Sequence, residues 1–179
     1  TQKNGSGPGN ARNTGIRKSR GKYIGFLDAD DCYSDLYLEE MFELVKIMGI
    51  SVAPTHVFKN NERIKIFKGN NKNLLTINDV SQNPCSFHPM IKRTLIREFE
   101  HKPSQDIYNL SNILNSKSIK LIKNGFYKLN ISEKSLTRKN NFNHSINLAY
   151  KYYQIKSLKE KKFKIARKLA IRRIINRHY

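Results

Sequence analysis

Cysteine is nearly absent. Cys32 and Cys85 lie far apart and outside any ligand-like spacing, which excludes a disulfide framework or a cysteine-built zinc site and favours a reducing compartment. No apolar run approaches the roughly 20 residues a membrane span needs. The start carries no signal peptide, and the first residue is Thr1 rather than Met. Thr1-Gln2-Lys3-Asn4-Gly5 reads as the middle of a loop, so further residues are expected upstream. Acidic residues are scarce: 14 against 34 basic ones, for a formal net charge of +20. Such a surplus favours a polyanionic partner, whether nucleic acid, an anionic membrane surface or a phosphorylated substrate. There are no internal repeats.

Hydrophobic residues make up 38% and aromatics 10% of the 179 residues. This excludes global disorder and suits one domain, or part of a larger one. Residues 1–9 are a Gly- and Asn-rich loop. Asn10 to Arg20 reads as a helix with Asn10 as N-cap and Gly21 as stop. Tyr23-Ile24-Gly25-Phe26-Leu27 reads as a buried central strand. Ser34 and Asp35 open a helix with Leu38, Met41, Leu44, Val45 and Met48 at helical spacing, ended by Gly49. Residues 50–58 and 62–67 read as strands joined by a turn at Asn60-Asn61. A loop around Pro84 and Pro89 precedes an expected short helix from Met90 to Ile96. A further helix starts at Pro103-Ser104, and strands are expected at 119–122 and 126–131. Beyond Arg138 acids almost vanish, and the chain becomes a basic, loosely amphipathic helical tail.

Two stretches carry chemistry. The first is Asp28-Ala29-Asp30-Asp31, directly after the apolar strand. Clustered carboxylates repel one another unless a cation sits between them, and Mg²⁺ or Mn²⁺ takes such oxygen ligands together with diphosphate oxygens. Acids at strand ends are also ordinary turn formers and helix caps. The second is Asn4-Gly5-Ser6-Gly7-Pro8-Gly9-Asn10-Ala11-Arg12-Asn13-Thr14-Gly15. Glycines admit close approach of a ligand, a helix N-terminus favours anions, and Arg12 adds a fixed charge. Alone, this stretch is equally a linker.

In conjunction, residues 2–31 resemble the inverting family 2 glycosyltransferases. Those enzymes carry N-x-G-x-x-x-A-R-N-x-G, leading through a helix into G-x-Y-I-x-F-L-D-x-D-D. The match rests on Asn4, Gly5 (one place before the usual glycine), Ala11, Arg12, Asn13, Gly15, Gly21, Tyr23, Ile24, Phe26, Leu27, Asp28, Asp30 and Asp31. Ser86 to Ile96 resembles the segment before the acceptor site in bacterial surface-polysaccharide members. Gln105-Asp106 stands where those enzymes show Glu-Asp, so the base is retained and its acidic neighbour lost. Tyr127-Lys128-Leu129 and Ser135-Leu136-Thr137-Arg138 resemble the closing strand and the S-x-T loop.

The resemblance implies an α/β fold: a partial GT-A, Rossmann-like sandwich missing its first strands, with a basic helical carboxyl-terminal tail. Residues 1–138 would form the metal and acceptor regions, and 139–179 the tail. Asp106 is implied as catalytic base. Asn4, Gly5, Arg12, Asn13, Asp28, Asp30 and Arg138 are implied to bind the nucleotide sugar, with Asp28 and Asp30 also holding Mn²⁺ or Mg²⁺. Implied partners are a nucleotide-sugar donor and a saccharide or lipid-linked acceptor. The expected setting is the cytoplasm with no nucleic acid, and contact at the anionic inner face of the plasma membrane is one reading of the basic tail.

Blander readings stand beside these. Asp106 lies in the first turn of a helix, where an acid stabilises the positive end of the dipole. His88, alone near two prolines, reads as packing or solvent-exposed. Arg138 either contacts donor phosphate or simply opens the basic tail. The tail is a solvated helix, a membrane anchor or a nucleic-acid binder. A non-catalytic nucleic-acid-binding protein explains the charge but leaves the acidic run unexplained. An inert remnant is the other rival, because nothing corresponds to the nucleobase-binding strand-helix-strand unit. The chain by itself is therefore expected to have weak or no activity.

Overall fold

A computed structural model describes residues 7–70, 72–83, 86–131 and 142–176. Asn4, Gly5, Cys85 and the stretch Ser135-Leu136-Thr137-Arg138 lie outside them. The architecture is mixed α/β, consistent with a GT-A-like domain.

Helix α1 (Gly7–Lys18) turns Ile16 inward against Ile24 and Phe99. It sits so close to the Phe99–Glu100 segment that a Cβ on Gly9 would lie 2.2 Å from the Glu100 carbonyl oxygen. Only glycine fits there. Strand β1 (Tyr23–Ile24) follows, and after a turn and β2 (Cys32–Tyr33) comes α2 (Tyr37–Met48). Tyr37, Met41 and Val45 are its buried stripe, at steps of four. Gly49 ends α2 as predicted, with φ of 74° and its N–H on the Val45 carbonyl.

Strands β3 (Ile50–Ser51), β4 (Thr55–Lys59) and β5 (Glu62–Phe67) come next. The β4–β5 hairpin closes on Asn60 and Asn61, both in the left-handed region at φ 52° and 65°. Two consecutive positive φ values match the right-handed strand twist, and Asn tolerates them. Further on, β6 (Leu74–Leu75) precedes α3 (Ile77–Gln82), which is a helix that periodicity does not reveal. Its marker is the capping box between Thr76 and Asp79.

Two expectations are corrected here. Met90 to Ile96 is not a helix: Met90–Lys92 is strand β7, followed by a single 3₁₀ turn at Arg93–Leu95. Met90 and Ile91 are both buried, because β7 is the middle strand of the sheet β1-β7-β3 and pairs antiparallel on both sides. The Tyr23–Leu27 run is a strand only at its first two residues and lies at the edge of that sheet. Its apolar character comes from α1 and Phe99, which cover it in place of a second neighbouring strand.

After β7 come α4 (Gln105–Ile113), β8 (Ile119–Lys120) and β9 (Tyr127–Ile131). The four-stranded sheet runs β2-β9-β4-β5, with β9 parallel to β4 and antiparallel to β2; β6 and β8 form a two-stranded sheet. Glu40 on α2 fastens the turn before β9. Its carboxylate accepts from the backbone N–H groups of Lys123, Asn124 and Gly125 at 3.0–3.1 Å.

The basic carboxyl-terminal segment forms α5 (Phe142–Lys159) and α6 (Phe163–Ile175), an antiparallel pair. They share the main core: Ile146, Ala149, Tyr150, Tyr153, Ile165 and Leu169 belong to one cluster with Val52, Leu75, Phe87, Ile91, Leu110 and Leu121. Buried Arg172 fastens α6 by donating to the Tyr150 hydroxyl (2.6 Å) and to the Val80 and Asn83 carbonyls. No described helix is long and apolar enough to cross a membrane.

Leu169 is 1% exposed, so Leu169→Ala should lower the unfolding free energy by about 2–5 kcal/mol within a single urea transition. A loss below about 0.5 kcal/mol, typical of surface substitutions, would show that α6 lies outside the cooperative core.

Candidate active site

The acidic turn after β1 is held from β9. Tyr127 Oη donates to Asp31 Oδ2 at 2.7 Å and accepts from the Asp28 N–H at 3.2 Å. The Asn130 N–H donates to Asp31 Oδ1 at 2.8 Å, and Asn130 Nδ2 donates to the Asp30 carbonyl at 2.8 Å. Three neighbouring acids therefore meet three fates. Asp31 is a structural brace. Burial raises its carboxyl pKa, with Asp30 and Asp28 adding to that, while the bonds from Asn130 and Tyr127 work the other way. Asp28 is ion-paired: Arg12 Nη2 straddles its two oxygens at 2.8 and 3.0 Å. Asp30 is exposed, and its carboxylate accepts no hydrogen bond from the described residues.

Arg12 reaches the turn from α1, lying 5.7 Å from the Phe99 ring centroid. In the amide orientation its neighbours require, Gln105 accepts from Arg12 Nη1 at 2.7 Å and donates to the Lys102 carbonyl at 2.8 Å. One residue on, in the first turn of α4, stands Asp106. Burial opposes its charged form. Arg12, the Ser86 hydroxyl that donates to it, His88 and the Ile107 N–H outweigh burial and hold the carboxyl below its ordinary 3.8.

His88 lies between the two carboxylates. It is 5% exposed and stacks on Tyr127 with centroids 4.1 Å apart and planes 20° apart. Its Nε2 is 3.7 Å from Asp28 Oδ2, and its Nδ1 is buried without a partner among the described residues. Burial lowers its pKa below 6.5; Asp28 and Asp106 pull upward and Arg12 pushes further down. Burial, the largest of these influences, favours the neutral imidazole. Arg12, His88 and Asp106, with Phe26, Phe87 and Phe99, line a small cavity of about 20 Å³.

The structure brings together Arg12, Asp28 and Asp106, three of the residues named from the sequence, and adds His88, Ser86, Gln105 and Tyr127. Of the two sequence readings of His88, packing or solvent exposure, the structure shows packing: the ring is buried and stacked on Tyr127. Asn13 is corrected. It is 1% exposed, and its amide is committed to the Phe99 backbone, donating to the carbonyl at 2.8 Å and accepting from the N–H at 2.6 Å. Instead of facing a ligand, it fixes α1 beside the segment leading to α4.

No three acidic, His or Cys side chains converge as a metal site among the described residues. Exposed Asp30, and Asp28 once released from Arg12, are the carboxylates of this turn that could face a cation.

The model of the family described as glycosyl transferase family 2 matches residues 1–109, more than half of the chain, and that span contains Arg12, Asp28, His88 and Asp106. The chain belongs to glycosyl transferase family 2. A curated relative from Rickettsia bellii (strain RML369-C), described as an uncharacterized glycosyltransferase, is 57% identical over 37 residues. That stretch is 21% of this chain and 5% of the relative's length.

In this family 2 chain the depressed Asp106 carboxyl has a definite consequence for pH. Its contribution to stability is complete well above 3.8, decays below that value, and is gone once pH passes below the folded value. Arg12→Met removes the cation and should move the Asp106 titration midpoint upward, read by carboxyl ¹³C NMR. An unmoved midpoint would show that Arg12 does not hold Asp106 ionised.

Proposed function

We propose that this site transfers a sugar from a nucleotide-sugar donor to a hydroxyl of a saccharide or lipid-linked acceptor, with inversion at the anomeric carbon. The observation that carries this reading is Asp106: a carboxylate kept ionised despite burial, beside the acidic turn and sharing Arg12 and His88 with Asp28.

In this reading Asp106 is the general base. As the acceptor oxygen attacks the anomeric carbon, its proton passes to Asp106, and the bond from that carbon to the diphosphate oxygen breaks on the opposite face. The bonding pair leaves with the nucleotide diphosphate. A carboxylate of low basicity takes the proton late, once bond formation has made the attacking hydroxyl strongly acidic. Ser86 and the Ile107 N–H fix the carboxylate's orientation, so the proton meets a preorganised oxygen. Arg12 supplies positive charge at the junction between the two carboxylates and, with a donor present, to the diphosphate. Asp30, with Asp28, would hold a Mg²⁺ or Mn²⁺ ion, which when bound stabilises negative charge on the leaving diphosphate.

The test uses the protein at its natural length, with labelled nucleotide sugars. Asp106→Asn should lower turnover by about 10²–10⁴-fold while donor affinity stays within about twofold. Asp30→Ala should remove the part of nucleotide-diphosphate binding that depends on added Mn²⁺ or Mg²⁺. Normal turnover in both variants would overturn the assigned roles.

A further inference from the structure

Helix α5 is apolar on two opposite sides. Its inner side, with Ile146, Ala149, Tyr150 and Tyr153, is buried in the core. On its outer side Leu148, Tyr152 and Ile155, spaced four and three residues apart, share one stripe and are 56%, 38% and 45% exposed. Lys151 and Lys159 fall on the same stripe by helical spacing and are also exposed. Lys102 borders it, with its ammonium 4.7 Å from the Tyr152 ring centroid. A solvent-facing helix surface is normally polar, so a continuous outward stripe of Leu, Tyr and Ile marks a surface that something covers.

Charge decides what covers it. Residues 142–176 hold ten Lys and Arg and a single acid, Glu160, which is itself paired with Lys162 at 2.6 Å. A second copy of this chain would set like charges against like. A nucleic-acid backbone suits the lysines but has no use for Leu148 and Ile155. An anionic bilayer surface matches both chemistries, since aliphatic and Tyr side chains enter the interface while ammonium groups meet lipid phosphates. We propose that the outer face of α5, with Lys102 at its border, docks on an anionic lipid surface.

The face is mechanically tied to the candidate site. Tyr153, next to Tyr152, donates to the Lys102 carbonyl at 3.0 Å and stacks on Tyr108 of α4, two residues from Asp106. Docking would therefore set the start of α4 near the lipid headgroups. The docking itself is independent of the proposed chemistry.

Sedimentation with vesicles tests it without any sugar donor. Vesicles of phosphatidylcholine with about one third phosphatidylglycerol should bind the protein at least about tenfold better than phosphatidylcholine alone, and raised salt should weaken binding. Leu148→Ser with Ile155→Ser, and separately Lys151→Glu with Lys159→Glu, should each lower that binding at least about tenfold. Circular dichroism should still show the parent's helical fold, because all four side chains are exposed. Asp106→Asn should bind as well as the parent, so a failed enzymatic reading leaves this result standing. The proposal is overturned if no vesicle binding occurs or if both double variants bind undiminished. It is also overturned if the variants retain vesicle binding and instead lose random-sequence RNA binding or self-association.

Discussion

The Arg12 guanidinium, shared between Asp28 and Asp106, is the interaction on which the candidate site depends. Without Arg12, Asp106 would lose the largest influence that offsets its burial. With Arg12 in place, Asp28 is ion-paired and Asp106 stays ionised below the ordinary range. In the proposed reaction the same cation would answer the charge of an incoming diphosphate.

Arg12 can occupy that position only because α1 is pinned. Gly9 allows helix backbone to meet the Glu100 carbonyl, and Asn13 grips both backbone groups of Phe99. These contacts set the distance between α1 and the start of α4, and so between Arg12 and Asp106. Tyr127 does similar work from the opposite sheet, supporting the acidic turn through its hydroxyl and His88 through its ring face. Chemistry at the turn is thus braced by residues with no chemical duty of their own.

The basic carboxyl-terminal helices divide their two faces between different tasks. Inward, Tyr150, Tyr153, Ile165 and Leu169 complete the core, and Arg172 closes the contact to α3. Outward, α5 keeps an apolar stripe edged with lysine. A helix apolar on both sides shows weak amphipathicity, which is why its sequence reads as a loose tail even though half of it is core.

By itself the sequence determined the local features: the stop of α2 at Gly49, the Asn60-Asn61 hairpin turn, the acidic run and the Ala11-Arg12-Asn13 segment. Each depends on backbone preference or on residue order within a few positions. Tertiary structure alone decided that Asp28, Asp30 and Asp31 carry different duties, that Asn13 is a brace, and that His88 lies between two carboxylates. It also decided that Met90–Lys92 pairs as a strand. These outcomes depend on which distant segments supply a cation, a hydrogen-bond donor or an aromatic face, and no local pattern records that.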